Sequence, residues 1–170
     1  MKRMLIGLFV AGAFAAVSGR AYANDSWITT KAKLALLTTD GIHVTAPNVD
    51  TVDGKVTLHG KVESAAEKTK AAETVQKIDG VKSVDNLLQV VPHEQKKMVD
   101  ANDSVIKDGV KAALKASATL KDVDVASVNK GVVLLSGKTT NLAEKLLAVE
   151  TAYKVKGVHR VASEIETPEM

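Results

Sequence analysis

The sequence predicts an α+β protein of two tandem small domains, each running helix, strand, strand, helix, strand, with a three-stranded mixed sheet and both helices on one face. Three observations carry this. Gly54, Val56, Leu58, Gly60, Gly80, Val81 and Val84 recur in the same order as Gly131, Val133, Leu135, Gly137, Gly157, Val158 and Val161. Ile28, Ala32, Ala35 and Leu36 match Ile106, Val110, Ala113 and Leu114 at helical spacing. Finally, Asp53-Gly54 and Asn129-Lys130-Gly131 stand where a tight hairpin needs positive φ.

Each element follows in order. Asp25 and Asp103 are expected to cap the first helix of each repeat. A strand near Val49 to Val52 turns at Asp53-Gly54 into Val56, Leu58, Gly60 and Val62. Ser64 with Glu67, and Asn141 with Glu144, read as capping boxes for the second helices. Those helices are expected to stop at Gly80 and Gly157, because Gly enters the left-handed region with little strain. The last strands are Val84 to Val90 and Val161 to Ile165. Because a helix separates each from its hairpin, a right-handed crossover makes it parallel to one hairpin strand. The expected organisation is a cleavable segment 1–23, a first domain 24–92, a solvated linker 93–102 and a second domain 103–168.

The leading segment reads as an export signal. Lys2 and Arg3 precede an apolar run from Met4 to Val17, and Ala21-Tyr22-Ala23 is a small-x-small cleavage site. The run is shorter than the roughly 20 residues a membrane span needs. No Cys follows it, so the lipoprotein route, which needs one at the first mature position, is closed. The expected compartment is the periplasm. The chain has 23 Lys and Arg against 20 Asp and Glu, and losing Lys2, Arg3 and Arg20 makes it neutral. A neutral mature chain lacks the positive field that nucleic-acid binding requires. With no Cys there is also no disulfide framework and no thiol nucleophile.

No residue set points to catalysis. His43, His59, His93 and His159 fall on separate elements without ligand spacing, so no metal is expected. No Ser sits in a Gly-x-Ser-x-Gly setting, and no glycine run has phosphate-loop spacing, so no enzyme, cofactor or small-molecule substrate is expected.

The motifs Ile28 to Leu36, Gly54 to Gly60, and Gly80-Val81-Lys82-Ser83-Val84-Asp85-Asn86-Leu87-Leu88 resemble the BON domain family (bacterial OsmY and nodulation). Ala32 stands at the family's helix valine, and Ser163 where the first copy has Asn86. Two copies behind a cleavable signal resemble the family's osmotically inducible periplasmic members. The resemblance implies no catalytic residues, and either attachment to phospholipid surfaces or holding of unfolded envelope proteins.

The copies differ where their roles are expected to differ. On the second helix Thr69, Lys70 and Gln76 become Leu146, Leu147 and Tyr153. At 100° per residue, Leu142, Leu146, Val149 and Tyr153 form an expected core stripe and Leu147 points outward. With Lys154, Lys156 and Arg160 nearby, Leu147 is a candidate contact for anionic lipid, or alternatively for the first repeat. On the open sheet face Lys55, Thr57 and His59 become Val132, Leu134 and Ser136. Val132 and Leu134 are expected to pack between the domains; the alternative is a face that holds unfolded outer-membrane or secreted proteins. Trp27 either folds over the end of its own domain or anchors at a lipid interface.

Overall fold

The computed structural model describes residues 18–43 and 48–168. The apolar run Met4 to Val17 lies outside them. The first repeat comprises α1 (Ser18–Thr38), β1 (Asn48–Val52), β2 (Lys55–His59), β3 (Lys61–Val62), α2 (Ala65–Gln76), β4 (Ser83–Asn86) and β5 (Gln89–Val90). The second comprises α3 (Lys96–Lys115), β6 (Val123–Asn129), β7 (Val132–Gly137), α4 (Leu142–Tyr153) and β8 (Arg160–Ser163). The expected α+β architecture of two tandem domains is present. In each repeat the hairpin strands pair antiparallel, and the strand after the second helix adds parallel to the hairpin's return strand, giving sheets β1-β2-β4 and β6-β7-β8.

The helices cover one sheet face in each copy, because that is where the alternate apolar residues point. Ile28, Ala32 and Leu36 meet Val49, Val56 and Leu58 in the first core; Ile106, Val110 and Leu114 meet Val125, Val133 and Leu135 in the second. The capping boxes form. Ser64 Oγ accepts the Glu67 N–H at 3.1 Å, and Asn141 Oδ1 accepts that of Glu144 at 2.9 Å. Each Glu reaches back to the N–H before the cap, from Glu63 at 2.7 Å and from Thr140 at 2.8 Å.

Four expectations are corrected. Asp25 and Asp103 cap nothing: α1 begins at Ser18 and α3 at Lys96, which leaves both carboxylates well inside their helices and buried. Each instead accepts two N–H groups of its hairpin turn. Asp25 takes Asp53 at 2.7 Å and Gly54 at 2.8 Å, and Asp103 takes Lys130 at 2.9 Å and Gly131 at 3.1 Å. Consecutive positive-φ residues turn their N–H groups the same way, and one carboxylate satisfies both. Second, the expected linker is largely structured. His93–Gln95 is a 3₁₀ turn and α3 starts at Lys96, with Val99 buried; the stretch after Pro92 has no Gly or Pro to interrupt it. Third, the strand expected over Val84 to Val90 divides into β4 and β5, and β5 pairs with β3 as a separate ladder. Gly60, at φ 133°, marks the same break on the hairpin side. Fourth, the second helices stop short of the expected glycines: α2 ends at Gln76 and α4 at Tyr153, and the positive-φ Gly80 and Gly157 lie in the turns beyond.

Leu134 is 1% exposed although its side chain lies on the sheet face away from the helices, outside the second repeat's core. Thr57 and His59, on the corresponding face of β2, are buried as well. The two sheets therefore cover each other's outer faces. Lys61 Nζ adds a polar tie, bonding Asp100 at 2.7 Å and Asp103 at 2.6 Å across the repeats.

Candidate lipid or partner surface

The expected core stripe of α4 does not face the core. Its buried residues are Ala148 and Ala152, with Val149 half-buried, while Leu142 is 63%, Leu146 60% and Tyr153 60% exposed. The physical reason is helical phase: the side of α4 that packs against α3 and β8 is the one bearing Ala148 and Ala152, and the Leu142, Leu146, Val149 and Tyr153 stripe lies roughly 110° around the helix from it. In the first copy Ala71 and Val75 fill the equivalent places. Hydrophobicity alone aimed the leucines inward, and packing turned them to the flank.

Leu147 is 42% exposed on the opposite flank of α4. Lys154 is exposed but holds Glu150 at 2.7 Å one turn back, and that ammonium keeps the Glu150 carboxyl below its usual range. Lys156 and Arg160 are exposed and make no ion pair among the described residues. Val132 is half-buried and Leu134 closed beneath the first repeat. The structure thus places Lys156 in the turn after α4 and Arg160 at the start of β8, where it is the register partner of Val132, while Leu134 pairs with Ala162 and is closed off.

Trp27 is 59% exposed on α1, and does not fold over its own domain. Lys31 Nζ lies 5.4 Å from its ring centroid, a cation–π pair one helical turn along. Leu34 and Leu37 continue the exposed apolar line on the same helix.

A family model for the BON domain matches residues 24–92 and again 102–169. The chain belongs to the BON family. The two matched stretches of this BON chain coincide with the two repeats. No curated protein gives a significant match. Among solved structures, this BON chain is similar at 14% identity and TM-score 0.33 to the C-terminal domain of CdsD, a structural protein of the type III secretion system of Chlamydia trachomatis. That match covers 81% of this chain and 63% of the other. A second CdsD structure matches at 13% identity and TM-score 0.35, over 82% and 91% of the two chains.

Sequence reasoning missed Lys61, whose bonds cross between repeats, and the turn-clamping roles of Asp25 and Asp103. The signal for the second was present: an Asp at the same repeat position in both copies, three residues before the core isoleucine. No described helix is long and apolar enough to cross a membrane.

Proposed function

We propose that this BON protein is exported to the periplasm, is non-catalytic, and associates with anionic phospholipid surfaces in maintaining the cell envelope under stress. One observation carries the reading: α4 sends Leu142, Leu146 and Tyr153 into solvent on one flank and Leu147 on the other, and the exposed cations Lys156 and Arg160, which make no ion pair among the described residues, follow at its C-terminal end. Apolar side chains at that density enter the headgroup region while the cations meet anionic lipid. Trp27 on α1 supports a second point of contact.

The test is flotation of the mature chain with phosphatidylcholine vesicles and with vesicles that also contain phosphatidylglycerol, at low and high salt. Binding confined to the anionic vesicles, weakened by salt and lost in a Leu146→Asp, Leu147→Asp variant, is expected. Absence of flotation overturns the reading in favour of holding unfolded envelope proteins. In that case the apolar flank of α4 is the available surface, because Leu134 is already covered.

A further inference from the structure

The two repeats carry the same cleft with opposite electrostatics. In each it forms where the hairpin turn meets the turn after the second helix. Gly54 lies against the carbonyl of Gly80 in the first copy, and Gly131 against that of Gly157 in the second; a Cβ at Gly54 would stand 2.9 Å and one at Gly131 2.6 Å from that oxygen. Only glycine allows this approach. The scaffold is therefore shared, down to the aspartate clamp behind each turn.

What lines the scaffold is not shared. Among the lining residues, Asp53 in the first copy is replaced by Lys130 and Lys82 by His159, and Lys156, which lines only the second cleft, stands where the first copy has Asp79 just outside its own. The first cleft has a volume of about 100 Å³ and the second about 460 Å³. The larger value falls within the roughly 300–1,000 Å³ of small-molecule sites, and the smaller does not. Val105 and Ile106 give the second cleft an apolar wall beside its cations.

The one carboxylate in that cleft is already committed. Asp103 is buried, and its oxygens accept the N–H groups of Lys130 and Gly131 and the Lys61 ammonium. Among the described residues Lys130 Nζ makes a single bond, to the Val90 carbonyl at 3.1 Å, leaving two donors. Lys130 also occupies the left-handed region at φ 49°, where the first copy places Asp53 at φ 51°. Asp is held there more readily than Lys, so the fold does not ask for this lysine.

We propose that the cleft of the second repeat seats the phosphate of an anionic lipid headgroup, between Lys130, Lys156 and His159, with the glycerol end against Val105 and Ile106. Phosphate oxygens accept from ammonium and imidazole donors, and the apolar wall suits the start of an acyl chain. This rests on the lipid-surface reading above and moves the specific contact from the flank of α4 to its end.

The test uses the full mature chain. Lys130→Asp with Lys156→Asp installs the residues of the first copy, and Lys154→Asp with Arg160→Asp makes the same charge change outside the cleft. Wild type, both variants and their melting temperatures are compared on phosphatidylcholine vesicles with and without phosphatidylglycerol. In parallel, glycerol phosphate is titrated while the amide resonances of Gly131 and Gly157 are followed. The expected result is a loss of at least about tenfold in vesicle affinity for the cleft variant, with unchanged melting and a smaller loss for the control. Equal losses in the two variants, or Gly131 and Gly157 resonances that move with neither probe, overturn the cleft. Resonances that move with glycerol phosphate while the wild type fails to float overturn the lipid source, and the proposed function with it, and leave a site for a soluble phosphate ester.

Discussion

The Asp25 carboxylate accepts the Gly54 N–H at 2.8 Å from across the domain, and so ties the first helix to the tip of the hairpin. Asp103 and Gly131 repeat the bond at 3.1 Å. Removing the carboxylate strands two turn N–H groups, one of them on a buried glycine, at about 1–3 kcal/mol for each group left buried and unpaired. Asp25→Ala is expected to lower stability by about 1–3 kcal/mol, with Asp25→Asn intermediate because its single oxygen cannot serve both donors as well. Urea unfolding of the two variants checks the order; a loss under about 0.5 kcal/mol in the alanine variant refutes the clamp.

Leu134→Asp places a charge on a face closed by the first repeat, at a cost of about 3–5 kcal/mol. Calorimetry is expected to show a lower melting temperature and separation of one transition into two. An unchanged melting curve would mean that the face is open in solution and available to a client.

Glu164 gives a pH signature. Burial raises its pKa above 4.5, aided by Asp50 and opposed by the Thr57 hydroxyl, His59 and Lys55. The folded state therefore holds the Glu164 proton more tightly than the unfolded chain does, and ionisation costs stability at neutral pH, a cost relieved as pH falls through the folded value toward 4.5. Glu164→Gln is expected to raise the melting temperature at pH 7 and to leave it unchanged below about pH 4. Glu67 runs the other way. Burial alone would raise its pKa, but bonds from His43 and from the Glu63 N–H outweigh that and hold it low. Its stabilisation is present above the unfolded value of 4.5 and lost as pH falls through the folded one, so Glu67→Gln destabilises at pH 7 and converges with wild type in acid.

Trp27 reports on the membrane directly. Its exposure predicts long-wavelength emission and ready acrylamide quenching in buffer. A blue shift with protection on adding anionic vesicles is expected from the lipid reading. Emission that stays red at vesicle concentrations giving full flotation removes α1 from the contact.

Much of the fold was legible because it depends on local chemistry. Asp53-Gly54 and Gly131 dictate the hairpins by their φ angles, and Ser64 and Asn141 fix the starts of α2 and α4. What stayed hidden depends on distance through space. Nothing near Asp103 along the chain shows that Lys61 will reach it, or that the hairpin tip will turn its N–H groups toward it. The leucines of α4 misled for a related reason: which side of α4 meets α3 and β8 is set through space, and it is the side of Ala148 and Ala152. The cleft was legible in principle, since Asp53 against Lys130 and Asp79 against Lys156 are plain once the copies are compared at their turns.

The stretch joining the repeats is itself part of a folded helix, α3, which carries both Val99 and the Asp103 that Lys61 grips. A flexible tether would let each repeat find a membrane separately, with an effective concentration set by tether length. A helical connection removes that freedom. If the lipid reading holds, the landing of one repeat already decides the orientation of its partner, and the ordering entropy of the second encounter has been met during folding. Proteases are given no slack segment to cut between the two, and a Gly-Ser insertion after Gln95 would release the second repeat to search on its own.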